Sequence, residues 1–189
     1  AGEQRHALRY AARTRQSAWS EPRTIAEGSD WAHGNALALG TAGEVYVSLR
    51  FPNAIIEVAG DPADPAFGTA SWVLLGEETD EPYTSDFTLM SSGGVTPVNF
   101  GEQHHLSLDA AGDLLMWDNR STGASNTRAL RVHVDEVNGT ADLLESWDAG
   151  QWCPGRGSAF LLPNGNMLAD CSAVDYLVME IEAQTDAVM

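Results

Sequence analysis

The sequence contains no lysine, only two cysteines, and no apolar run approaching the ~20 residues that a membrane span needs. Ten arginines therefore supply all the fixed positive charge against 27 acidic residues, for a formal net charge of −17. A surface of that sign repels an anionic backbone, which argues against nucleic acid as a partner. Cys153 and Cys171 are too few for a disulfide scaffold and have neither the CxxC nor the His-rich spacing of a metal site. They form either one bridge or two buried thiols. A bridge would tie a loop across one end of the last hairpin, because Cys153 precedes that hairpin and Cys171 ends it. The opening segment AGEQRHALRYAARTRQ lacks the apolar stretch of an export signal.

Helical periodicity is nearly absent as well. Short alternating runs separated by Gly, Pro, Asn and Asp recur instead, which predicts an all-β protein. Three segments superpose on a turn glycine: NALALGTAGEVYVSLR on Gly43, HHLSLDAAGDLLMWDNR on Gly112 and GSAFLLPNGNMLADCS on Gly165. Each reads as strand, tight turn, strand. A third alternating run follows each hairpin (Asn53 to Val58, Ala129 to Val134, Asp175 to Ile181). After the first two comes a fourth run holding Trp72 or Trp147, tryptophans that suit packing between sheets.

Four antiparallel strands per unit, repeated, make the blade of a β-propeller. The predicted organisation is the end of a preceding blade over residues 1–29, with Trp19 on its last strand. A blade then spans 30–76, a long loop over the channel mouth 77–102, a blade 103–148, and an incomplete blade 149–189. About three blades are covered where a closed propeller needs at least four. The remaining blades are expected from a second chain or a removed segment.

The repeat also places chemistry. Asn35 and His104 stand eight residues before their turn glycines, and Arg50 and Asn119 seven after. A hairpin folds back on itself, so both sets lie at the strand end away from the turn. If these hairpins are inner strands, His33, Asn35, Arg50, His104 and Asn119 converge on one mouth of the channel. Two imidazoles can supply a nucleophile and a general acid or base near neutral pH. Arg50 brings a planar fork of donors suited to a tetrahedral oxyanion, and the asparagines add neutral donors. The combination suits transfer or hydrolysis of a sulfuryl or phosphoryl group. The plainer reading of Arg50 is a pair with an acidic neighbour such as Glu57, and of each histidine a hydrogen-bonded structural residue.

Six motifs in order carry a resemblance: Asp30-Trp31-Ala32-His33-Gly34-Asn35, Ser48-Leu49-Arg50, Gln103-His104, Trp117-Asp118-Asn119, Thr127-Arg128-Ala129 and Leu162-Pro163-Asn164-Gly165-Asn166. Together they resemble the aryl-sulfate sulfotransferase family from about Asp30 onward. The resemblance implies a six-bladed propeller that moves a sulfuryl group from an aryl sulfate to a phenolic acceptor without a nucleotide donor, metal or other cofactor. It implies that His104 is transiently sulfated, with His33, Asn35 and Arg50 binding the sulfate and assisting proton transfer; Asn119 and His105, at the same mouth, are expected to contact substrate as well. It further implies export to a periplasmic or extracellular compartment. The chain departs from the family pattern in having Gln103-His104-His105 where Gln-His-Asp is common. A further active-site histidine of the family falls before Ala1, so this chain alone is expected to be inactive. The alternatives are an ester hydrolase using the same cluster and a non-catalytic propeller acting as a binding or assembly module.

Overall fold

The computed structural model describes residues 6–10, 23–28, 32–77, 83–91, 98–120, 125–172 and 177–182. Every regular element among them is a β-strand. Strands β1 (His6–Tyr10) and β2 (Arg23–Gly28) form a two-stranded sheet. Strands β3 (Gly34–Leu39), β4 (Val45–Leu49), β5 (Ala54–Val58) and β6 (Ala70–Leu75) follow as a four-stranded antiparallel meander. The next sheet has the order β7-β11-β10-β9-β8, from β7 (Leu89–Ser91), β8 (His104–Leu108), β9 (Leu114–Asp118), β10 (Arg128–Asp135) and β11 (Thr140–Asp148). Strands β12 (Ser158–Leu161), β13 (Met167–Cys171) and β14 (Leu177–Ile181) make the last.

This all-β architecture of successive meanders is that of part of a β-propeller, and the described residues close no ring. The first strands of the three hairpins, β3, β8 and β12, are neighbours across sheets, as inner strands around a common axis must be. The three aligned turn glycines all lie in the left-handed region, Gly43 at φ 104°, Gly112 at 89° and Gly165 at 87°, where a side chain would be strained.

Burial explains why the middle strands read as continuous apolar runs. In β5, Ile55 packs toward the β7–β11 sheet with Trp72, Leu74, Leu114 and Leu130, while Ile56 packs on the opposite face with Val45, Val47 and Val58. Both faces of the sheet are covered, so alternation disappears where burial is two-sided. A second inter-sheet core joins β9 and β11 to β12 and β13 through Trp117, Trp147, Ala159 and Met167. Trp72 and Trp147 are thus packing residues, 5% and 0% exposed. The expected strand around Trp19 lies outside the described residues; the partner of β1 is Arg23–Gly28, which the pattern did not single out.

In the segment expected as a loop over the channel mouth, 77–102, the described residues hold a short strand and a buried apolar cluster. Its β7 pairs in parallel with β11 at the outer edge of the sheet, through Leu89 to Ala141. Phe87 bridges to Leu74 of the preceding sheet. The cause is apolar: Phe87, Leu89 and Phe100 are all buried in the core between the two sheets. Among its described residues, Glu77, Gly101 and Glu102 stand at the inner end, bonded to Asn53 or Asp118.

Candidate active site

Two β-bulges shape the inner ends of the first two hairpins. The register of β3 on β4 shifts between Gly34 and Ala36, and that of β8 on β9 between His104 and Ser107. Such a bulge re-aims side chains that a regular ladder would point elsewhere. Left-handed backbone conformations cluster beside them, at His33 (φ 42°), Glu102 (φ 50°) and His105 (φ 50°).

Gln103, directly before His104, is fully buried. Its Nε2 lies within hydrogen-bonding distance of Ser48 Oγ (3.2 Å) and the carbonyls of Leu49 and Ala54 (both 3.0 Å). It pins the start of β8 to β4 and β5 rather than facing substrate. Asn35 Nδ2 adds a 2.5 Å bond to the Gln103 carbonyl. Asp118, also fully buried, accepts from the Gly101 amide and pairs with Arg128 and Arg120, both at 3.1 Å. Burial pushes its carboxyl up and the two guanidiniums pull it back.

His104 is half-buried at the centre. Its Nδ1 is 2.8 Å from Asn119 Oδ1 and 2.9 Å from the Glu102 carbonyl. The nitrogen of the same Asn119 carboxamide donates to the carbonyls of Cys153 (2.7 Å) and Arg156 (2.8 Å). Those carbonyls can only accept, so the amide orientation is fixed with Oδ1 toward the imidazole. Both acceptors at Nδ1 then require Nδ1–H. On the other side the Arg156 amide donates to Nε2 at 3.3 Å, which places the lone pair there. Burial lowers the imidazole's pKa first of all; its hydrogen bonds to Asn119 and Glu102 oppose this, and the charges of Arg50 and His33 lower it further. His104 is therefore a neutral imidazole at pH 7 with a basic Nε2.

Arg50 ends the β3–β4 hairpin and donates to Glu102 at 2.5 Å, not to Glu57, which is buried beside Tyr46. Its Nε has no hydrogen-bond acceptor. Its guanidinium carbon sits 5.5 Å from the centre of the Phe51 ring, and Phe51 meets His33 edge-on at 4.8 Å. His33 and Phe51 are both exposed at this mouth.

The loop after β11 closes the other side. A Cβ placed on Gly155 would lie 3.6 Å from Arg50, so the strand of loop that touches His104 also touches Arg50. Gly155, Arg156 and Gly157 are all left-handed, at φ 58°, 61° and 96°. A Cβ on Gly157 would come within 2.6 Å of the Trp117 ring and 2.5 Å of the Asp170 carbonyl, so only glycine fits. Cys153 and Cys171 are joined by a disulfide, anchoring this loop to the end of β13. Trp152 donates to the Asn119 carbonyl at 3.1 Å and stays exposed.

The structure thus gathers His104, Arg50 and His33 at one mouth. Asn35 and Asn119, expected among substrate-contacting donors, hold backbone and imidazole instead; Asn119 is 1% exposed. His105 turns to the neighbouring hairpin, its ring 4.4 Å from that of Phe160, and burial lowers its pKa. Glu102, Phe51 and Trp152 are not among the residues the sequence points to, and Asp118 stands in the Trp-Asp-Asn motif without a role assigned from sequence. The visible signals were an aromatic directly after the motif arginine, an acid directly before the Gln-His motif and the acid within the Trp-Asp-Asn motif.

Among known families, the model described as Arylsulfotransferase (ASST) matches residues 4–189. No curated protein matches the chain.

Proposed function

The chain belongs to the arylsulfotransferase family, and on that premise we propose that it moves a sulfuryl group from an aryl sulfate to a phenol through a sulfated His104. The observation that carries this reading is the state of His104: neutral, with Nδ1–H held by two acceptors and the lone pair on Nε2.

In the first half-reaction Nε2 attacks sulfur, the N–S bond forms, and the S–O bond to the aryl oxygen breaks. Positive charge grows on the imidazole as Nε2 is sulfated. The Nδ1–H bonds to Asn119 and Glu102 strengthen as it does so, which favours the transition state over the ground state. Arg50 faces the sulfuryl oxygens, and the Arg156 amide exchanges its long contact with Nε2 for one of those oxygens. Protonated His33 gives its proton to the departing phenolate. In the second half-reaction the acceptor phenol gives its proton to His33, its oxygen bonds to sulfur, and His104 leaves. Phe51, edge-on to His33 and beside Arg50, offers a face on which the aryl ring rests.

The protein works, in this reading, with further blades around the same axis and in an oxidising compartment. Leu37 and Leu39 of β3, 70% and 76% exposed, support the first point, since an apolar inner strand suits cover by another sheet. The Cys153–Cys171 bridge supports the second. The test is product analysis with p-nitrophenyl sulfate and a phenol. Sulfated phenol with ping-pong kinetics is expected; release of inorganic sulfate alone would point to an ester hydrolase.

A further inference from the structure

We propose that Asn119 is the positioning residue for His104: it accepts the Nδ1 proton, so leaves the lone pair on Nε2, and is itself locked by the loop that the Cys153–Cys171 bridge anchors. The proposal rests on the reading of His104 as nucleophile and adds which residue sets its tautomer.

Three observations converge on Asn119. Its carboxamide is buried and fully engaged, with Oδ1 on His104 and Nδ2 on the carbonyls of Cys153 and Arg156. Rotating the amide by half a turn would set its NH2 against His104 Nδ1 and its oxygen against two carbonyls, losing both donor bonds. The loop is bound in turn to the backbone of Asn119. Thr127 Oγ1 accepts from the Cys153 amide at 2.7 Å and lies 3.3 Å from the Asn119 carbonyl. A free imidazole ordinarily exchanges its proton between the two nitrogens; here the geometry removes that choice. The loop that places an amide over Nε2 is therefore the same one that orients the group holding Nδ1.

The neutral tautomer also has a mechanistic consequence. If the proton sat on Nε2, the nitrogen facing the mouth would have no lone pair to offer, and Nδ1 is enclosed by Asn119 and Glu102. A wrong tautomer would cost turnover without changing how the donor sulfate meets Arg50.

The experiment is 15N NMR of the imidazoles in the 189-residue chain, wild type beside Asn119→Ala and Asn119→Asp. Wild-type His104 is expected as the Nδ1–H tautomer, and Asn119→Ala as a mixture of both, because only the Glu102 carbonyl then remains on Nδ1 and the loop holding the Arg156 amide over Nε2 loses its anchor. Asn119→Asp keeps an acceptor and is expected to keep the tautomer while raising the pH at which His104 titrates. In turnover, Asn119→Ala should lower kcat about 10²-fold with little change in KM. A wild-type His104 protonated on Nε2, or an unchanged tautomer in Asn119→Ala, overturns the proposal. Should neither variant fold, the wild-type spectrum still decides it, since His104 protonated on Nε2 overturns the proposal. The NMR readout needs no turnover, so absent transferase activity with the Nδ1–H tautomer intact would count against the sulfuryl-transfer reading and leave the role of Asn119 standing.

Discussion

Nδ1 of His104 lies 2.8 Å from Oδ1 of Asn119, and the nitrogen of that same carboxamide is held by two carbonyls of the Cys153–Arg156 loop. One asparagine thus connects the nucleophile candidate on β8 to a loop that belongs to the next sheet. The reactive nitrogen is defined by contacts from three segments far apart in sequence.

The pH dependence follows from the state of His104. The neutral imidazole is the reactive form, so a proton on Nε2 abolishes attack. Burial holds its pKa below the ordinary 6.5. Activity should therefore be retained down to a pH below that of a free imidazole and fall as pH drops further. A kcat/KM profile whose acid limb is centred above 6.5 would contradict this.

The two adjacent histidines should behave differently. His104→Ala is expected to lower turnover at least about 10³-fold. His105→Ala should retain most of it, because His105 faces Phe160 rather than Arg50. Steady-state assays of the two variants beside wild type make the comparison.

Arg50 and Phe51 should separate by their effect on the donor. Arg50→Lys keeps charge but loses the planar fork of donors, so kcat/KM for aryl sulfates should fall by about 10- to 100-fold. Phe51→Ala should raise KM for the aryl donor with a smaller change in kcat. Equal losses in kcat for both variants would place the aryl ring elsewhere.

Gln103 is expected to be a stability residue. Removing its amide leaves three buried acceptors on β4 and β5 without their donor. Gln103→Ala should destabilise by about 3 kcal/mol, seen as a fall in Tm of roughly 6–12 °C. Reducing the Cys153–Cys171 bridge should have a comparable effect, about 3 kcal/mol, with turnover falling in parallel because the loop on His104 is loosened.

Much of the strand pattern was legible because turn glycines and alternation are local signals. Gly43, Gly112 and Gly165 mark hairpins without reference to anything distant. The approach of His33, Arg50 and His104 to one mouth followed from the same register. The supporting groups did not follow. Asn119 has the spacing of a mouth residue, and only the loop from the next sheet shows that its amide is spent on His104, Cys153 and Arg156. Gln103 sits in the motif yet serves packing, since burial is decided by the β4–β5 pair that covers it. The edge strand Leu89–Ser91 was hidden for a similar reason, being three residues long and defined by pairing with β11.

Trapping the covalent intermediate tests the sulfated His104 most directly. A preparation competent for turnover is incubated with an aryl sulfate in the absence of a phenol acceptor, then digested and mapped by mass spectrometry. One sulfuryl group on His104, removed on adding phenol, is the expected result. A competent preparation with no label, or with the label on His105, would contradict it.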